Sequence, residues 1–423
     1  MAWCSLENAE MATPPPLLVR ASPLRRLQKE LFGSRLDGLI SIALLAALLA
    51  AGLGFFRWAL FQAQWAVLSA NSTLFAVGRY PVEQQWRLWL LTTLLALATG
   101  FSWGLLRAFP GSGAVRALWP RNDRWAAAIL AVLALWRPMA LQLTLAIQAR
   151  WWGIAGLLLL ARWAAGRYGP AIPQACRRLI PLLWPLLYLV GMVLISGGLG
   201  LVQVPPSEWG GLLLTVLMAT FAILLCFPLG VLLALGRRSE LPLLRWGSVI
   251  YIEFIRGAPL ITLLFLGQNI LGFLLPGGLA PDRVWRAAWV LTFFAAAYVA
   301  EAVRSGLVAV PAGQLEAARS LGLPVPLALV HVVLPQALRV ALPATVGQFI
   351  TLLQDTTLLS LIGLLDLLGT ARTVMANPMF LGKNAEVYLV LAILFWSCCA
   401  ALGLGSRALE TRLNPHSPSA PQA

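Results

Sequence analysis

Charge is what this sequence lacks most. Only 11% of its 423 residues are Asp, Glu, Lys or Arg, against about 25% in a soluble domain. The deficit falls on the acids: 16 Asp and Glu stand against 31 Lys and Arg, a formal net charge of +15. Thiols and imidazoles are scarce too. The five Cys (Cys4, Cys176, Cys226, Cys398, Cys399) form no CxxC pair, and His331 and His416 lack metal-ligand spacing, so no metal or redox site is expected. No GxxxxGK[ST] phosphate-binding loop occurs; Gly382-Lys383 lacks both the upstream Gly and the following hydroxyl residue. Nor does a Ser-His-Asp or paired-carboxylate arrangement stand out, so no catalytic residue is assigned and no enzyme is expected. These absences exclude an ordinary soluble enzyme, a zinc domain and ATP hydrolysis by this chain alone.

What fills the space is apolar: 60% of the residues, 18 Trp among them, with a mean hydropathy of +0.81. A membrane-crossing helix needs about 20 mostly apolar residues. Ten stretches approach that: 38–56, 86–106, 125–147, 151–165, 179–202, 211–235, 248–275, 287–308, 338–359 and 386–404. The third and fourth are joined tightly at Arg150, so residues 125–165 either cross twice or form a re-entrant hairpin. The expected fold is an all-α, polytopic transmembrane bundle of about 8–10 spans. Arg20, Arg25, Arg26, Lys29 and Arg35 precede the first span, which carries no cleavable-signal pattern. Further bases cluster in alternate gaps (Arg107, Arg116, Arg121, Arg124; Arg167, Arg177, Arg178; Arg237, Arg238, Arg245), whereas residues 204–209 carry none. Basic residues stay on the cytoplasmic side of a membrane, which places both termini there. The basic excess thus reads as topology, and no nucleic-acid partner is expected.

One patterned polar segment interrupts the later spans, residues 311–335. Pro311 suits a first helical turn, Ala317, Ala318 and Leu321 favour helix, and Gly322 suits the left-handed position after its end. Pro324 and Pro326 stop continuation, and Pro335 fits the first turn of the next span. On pattern alone, a short amphipathic loop with no partner is an equal reading.

The residues here carry a resemblance. Glu316-Ala317-Ala318, three residues, Gly322, nine residues, Val332, one residue and Leu334-Pro335 match the EAA loop of binding-protein-dependent ABC import permeases. Tyr251-Ile-Glu253-Phe-Ile-Arg256-Gly257-Ala-Pro259-Leu260 is similar to the YxExxRGxPL segment of their polar amino acid branch, as are Ala297-Tyr298, Glu301, Arg304, Gly306 and Gln336-Ala337 to other parts of it. The resemblance covers about residues 211–412. It implies an amino acid permease of the inner membrane in which Glu316, Ala317, Ala318, Gly322, Leu334 and Pro335 couple to an ATPase dimer. It further implies a periplasmic amino acid-binding protein and a related second permease making a heterodimer, with no cofactor in this chain because ATP and Mg bind the ATPase. The organisation expected is a cytoplasmic segment 1–37, a transmembrane extension 38–202, a permease core 203–412 with its coupling loop, and a tail 413–423. Where the family often has a Lys before its acidic-Thr-Ser run, this chain has Gln354-Asp355-Thr356-Thr357.

Individual residues suggest a path. Pro259 lies inside the 248–275 stretch, where it removes a helical hydrogen bond and offers a flexing point. Glu253 and Arg256, and Glu301 and Arg304, have the i, i+3 spacing of intrahelical pairs, or of pairs between helices that shift during transport. Asp355 is a carboxylate at the end of an apolar run, beside Gln354 and Thr356. Such a group lines a polar cavity or caps a helix end, while Asp366 reads as interfacial. An ion-coupled secondary transporter is the alternative, with Asp355 the one plausible ion-binding acid.

Overall fold

The computed structural model describes residues 31, 33–108, 145–173, 179–274 and 281–413. The chain divides into two compact units, Met1–Ala63 and Gln64–Ala423. The first holds helix α1 (Arg35–Arg57), continued by a π-turn to Gln62, with Ser34 capping its start and no residue buried. A helix apolar on every face suits lipid rather than a soluble core.

The second unit begins with short helices α2 (Ala66–Ala70) and α3 (Ser72–Val77). Two long ones follow, α4 (Gln85–Ala108) and α5 (Leu145–Tyr168), then α6 (Leu183–Ser196). Gly100 and Gly104 let α4 lie directly on the backbone of α5 at Leu158 and Arg162, the close approach small residues permit in membranes. Next come α7 (Gly211–Arg237), α8 (Pro242–Gly257), α9 (Leu260–Leu274) and α10 (Arg283–Ala309). The short α11 (Ala312–Ser320) and α12 (Val325–Ala328) lead through a π-turn, Leu329–Val333, into α13 (Leu334–Asp355). A 3₁₀ turn, Thr356–Ile362, then connects to α14 (Leu367–Met375) and α15 (Asn384–Leu413).

Helices α7, α10 and α13 form the centre. Ala287, Ala288, Ala295, Ala296 and Ala300 make α10 a smooth buried face, with Leu214, Met218, Ala222 and Cys226 of α7 and Ala337 and Ala341 of α13 in the same apolar cluster. At 27 residues each, α7 and α10 are about 40 Å long, more than a hydrocarbon core of about 30 Å. Arg238 Nη1 donates to Leu307 O at 3.3 Å, so the end of α7 meets the end of α10. One pole of the core therefore holds Arg237, Ala309 and α11; the other holds Gly211, Arg283 and the turn after α13.

Among the described residues six helices are long and apolar enough to cross a membrane, or seven when α8 and α9 count as one bent span. The ten stretches read from sequence contract for stated reasons. Residues 125–144 lie outside the described residues, as do most of 1–37, residue 275 and the tail 414–423. Helix α5 has the length but carries Arg150, Arg162 and Arg167, and α6, at 14 residues, reaches only about 21 Å. The stretch 248–275 is broken. Proline disfavours helical geometry in the residue before it, and Ala258 is extended (φ −96°, ψ 136°). Pro259 therefore does not kink a continuous helix; it separates α8 from α9, which meet at 107°.

Candidate functional site

The pole at α11 collects two groups of side chains. The first is α11 itself. Its exit is closed by Gly322 N–H donating to Arg319 O (2.9 Å) and Leu323 N–H to Ala318 O (3.2 Å), crossed bonds that require a left-handed residue between them. Gly322 supplies it at φ +85°. A Cβ there would meet nothing within 4 Å, so the backbone alone demands glycine. Ala318 is buried, while Glu316, Ala317 and Leu321 are exposed, Leu321 by 85%. Gln336 Nε2 donates to Gln314 Oε1 (3.2 Å) and Val332 O (2.9 Å), mooring α11 to α13. Pro335 sits in the first turn of α13. The result is a short helix with its carboxylate and a leucine presented to the outside, on a mooring that ends in the core.

The second group is an ion cluster drawn from three helices. Glu301 of α10 accepts from Arg304 Nε (2.7 Å). Its other oxygen lies 3.6 Å from Arg237 Nη1 and 3.7 Å from Arg256 Nη1, and Arg237 Nη1 is 3.1 Å from Glu253 Oε1. Neither Arg237 Nη1 nor Glu301 Oε2 makes a hydrogen bond, although both atoms are buried. They are held by charge alone. Three guanidiniums against two carboxylates leave the cluster positive. Arg256 also lies over the Tyr298 ring at 5.7 Å, and Tyr251 Oη donates to Phe293 O at 2.7 Å, so α8 is fastened to α10 along its length.

The i, i+3 pairing expected of Glu301 and Arg304 is present. That of Glu253 and Arg256 is not: the two residues of α8 turn to Arg237 and Glu301 respectively. Sequence reading placed Arg237 only among the bases of a cytoplasmic gap and gave it no part in an ion pair, although its position in the last turn of α7 is where a cation favours the helix dipole. Pro259 stands just beyond this cluster, at the α8–α9 break.

Gln354, Asp355 and Thr356 lie at the far end of α13, at the opposite pole, and do not join the first group. Asp355 ends α13, is half-buried and makes no cap bond. Gln354 is exposed towards Cys399 of α15, 3.8 Å away. Thr356 is fully buried, its hydroxyl donating to Leu353 O. Asp366 is wholly buried rather than interfacial, and its carboxylate caps α14 through Leu368 and Gly369 N–H. Burial pushes it up to about 6, against the lowering pull of those two bonds and of Arg372.

With this geometry stands a family match: residues 226–415 fit the family described as binding-protein-dependent transport system inner membrane component. The chain belongs to the amino-acid permeases of that family, multi-pass proteins of the inner membrane. It is 35% identical over 364 residues, 82% of this chain and 78% of the relative, to a glutamate/glutamine/aspartate/asparagine transport system permease protein, BztC, of Rhodobacter capsulatus. It is 41% identical over 233 residues to the inner membrane amino-acid ABC transporter permease protein YhdY of Escherichia coli, spanning 55% of this chain and 64% of that relative, just under two thirds. Among solved structures, an amino acid ABC transporter crystallised with histidines is 31% identical, covering 48% of this chain and 92% of that one, with a TM-score of 0.43.

Proposed function

We propose that this chain forms part of the translocation pathway of an ATP-driven amino acid importer, with residues 203–412 as the permease core. The observation that carries the reading is α11: an exposed, rigidly terminated helix whose Glu316 carboxylate makes no bond among the described residues, moored by Gln314 and Gln336 to a core helix. That is the form of a docking element. A separate ATPase dimer, holding the ATP and Mg that supply the energy, closes on this pole and displaces α11. The displacement passes along α13 and, through the Glu301 cluster, to α7, α8 and α10. This pole faces the cytoplasm, with both chain termini, by the distribution of basic residues. The opposite pole accepts an amino acid from a periplasmic binding protein. A related second permease completes the pathway as a heterodimer, and this chain performs no chemistry of its own. The membrane-crossing part of the path lies within residues 203–412, and Asp355 and Gln354 contribute polar groups near its outer end.

An uptake experiment separates this reading from the ion-coupled alternative. The chain, coexpressed with its ATPase, partner permease and binding protein, is expected to drive amino acid uptake that requires ATP and survives an uncoupler. Uptake abolished by the uncoupler and independent of the ATPase overturns it.

A further inference from the structure

The pole opposite α11 holds a cavity of about 350 Å³. Its lining comes from both halves of the second unit: Arg79 from the turn before α4, Ser207 and Trp209 from the turn before α7, Asp282 and Arg283 from the start of α10, and Gly363 after α13. The wall is closely built. Gly78 pairs with Trp209 in an isolated β-bridge, and Trp209, 2% exposed, stands edge-on to Trp285 at 6.1 Å between ring centres.

Two donors in this wall, on the exposed Arg79 and the buried Trp209, have no protein acceptor, and a third, on the exposed Arg283, has nitrogens to spare. The Arg79 guanidinium makes no hydrogen bond or ion pair among the described residues. Arg283 spends one nitrogen on Ile362 O (2.9 Å) and makes no other side-chain bond there. Trp209 Nε1 is buried and unpartnered, an unfavourable state for a donor unless something accepts from it. The one carboxylate in the lining, Asp282, forms no ion pair with these cations; its Oδ1 caps α10 through Val284 N–H (2.9 Å). Two guanidiniums and an indole N–H around one cavity form a set of donors for a planar anion, which guanidinium recognises with paired bonds.

We infer that this cavity is a carboxylate-binding site, and that the N-terminal part of the chain, through Arg79, helps build it. The inference rests on the importer reading for its two sources of carboxylate: an acidic side chain of the docking binding protein, or the free amino acid. Size favours neither, so the test has an arm for each.

The complete transporter, reconstituted in nanodiscs, is compared as wild type, Arg79→Ala, Arg79→Glu and Arg79→Lys, each checked for normal assembly. The first arm measures the Kd of the amino acid-loaded binding protein between about 50 and 500 mM NaCl, since exposed charges are screened over that range. The second measures binding of free L-glutamate to the receptor-free transporter. Arg79→Ala is expected to weaken one of the two by about tenfold at low salt, Arg79→Glu by more, and Arg79→Lys by less than either. Weakening in the first arm assigns the carboxylate to the binding protein, and in the second to the free amino acid. Unchanged affinity in both arms overturns the inference while leaving the importer reading intact. A wild-type complex that binds neither, yet is assembled, overturns the importer reading itself.

Discussion

The two poles of the α7–α10–α13 core are fastened by different chemistry. At the α11 pole α7, α8 and α10 are joined by side-chain charge: Arg237, Glu253, Arg256, Glu301 and Arg304, with separations of 3.1–3.7 Å between helices, while Gly306 of α10 lies on the backbone of α13 at Ala337. At the other pole they are held by backbone. Gly211 N–H donates to Leu365 O (2.8 Å), Leu367 N–H to the buried Thr215 hydroxyl (3.0 Å), and Gly78 lies flat on Gly210. Tyr80 Oη reaches Ile195 O (3.0 Å) and Arg87 reaches Val202 O (2.8 Å), so residues before α7 join the same knot. Long charged side chains exchange partners as helices slide; interlocked glycines and buried backbone bonds do not. The α11 pole is joined in part by contacts that can be exchanged, the opposite pole by contacts that cannot be lost without opening the backbone.

The largest effect is expected where that rigid knot is forced open. Gly78 has φ +66°, and a Cβ on it would strike the backbone of Gly210. Neither partner is a flexible side chain. Gly78→Val should cost on the order of 3 kcal/mol or more, read as a lowered Tm and less assembled protein. A normal Tm would show that the knot yields and would erase the contrast between the poles.

Next comes the buried cap of α14. Asp366→Ala removes two hydrogen bonds to Leu368 and Gly369 and should cost about 2 kcal/mol. Asp366→Asn keeps a cap but removes the titration. Because burial raises this carboxyl to about 6, the folded chain holds its proton more tightly than the unfolded chain, whose value is about 4. Its contribution is therefore fully present below about pH 4 and is lost as pH rises through about 6, with no further change above. The Tm of wild type relative to Asp366→Asn should fall across that window. A constant difference between the two proteins would place Asp366 in water.

At the α11 pole the expected losses of stability are smaller and those of function larger. Glu301→Gln leaves Arg237, Arg256 and Arg304 facing one another around a neutral amide. The side chain of Glu301 is about one-quarter exposed, so solvent limits the penalty to about 1 kcal/mol. Uptake is expected to fall by about tenfold, in line with a coupling energy near 1.4 kcal/mol. A double-mutant cycle with Arg237→Gln should return non-additive uptake. Additive effects would mean that α7 and α10 move independently of this contact.

How much of this was legible in the sequence follows from the range of each interaction. Helix α11, its glycine exit and the proline at the start of α13 are decided by residues within a few positions of one another, and spacing alone gave them. The Glu301–Arg304 pair is equally local. The break at Pro259 was half visible: proline in an apolar run signals a bend, but an extended Ala258 after Gly257 turns a kink into a corner of 107°. Arg237 was missed because its partners are 16 and 64 positions away, and only the packing of α7 on α8 and α10 brings them together. Asp366 was misplaced for the same reason. Its burial depends on the turn after α13 folding back against Gly211 and Thr215, which no local pattern announces.

The smallest effect on stability is expected at Gly322, and it bears most directly on the proposed coupling. Gly322→Ala adds a methyl group where space is open, so packing is unchanged and the cost is the left-handed backbone, about 1 kcal/mol. That cost falls on the crossed bonds from Leu323 to Ala318 and Gly322 to Arg319, and so on the exit of α11 alone. The Tm of the whole chain should therefore stay within about 2 °C of wild type, because α11 adds only Ala318 to the buried interior. Amino acid uptake and stimulation of the partner ATPase should both fall several-fold, because a frayed α11 no longer transmits a push to Gln336 and α13. Replacing Glu316 with Gln leaves the helix intact and tests the carboxylate separately, through the amount of ATPase that copurifies. Normal uptake by Gly322→Ala in a fully assembled complex would mean that a rigid α11 is not what links the ATPase to the core, and the docking role would pass to another surface of this pole.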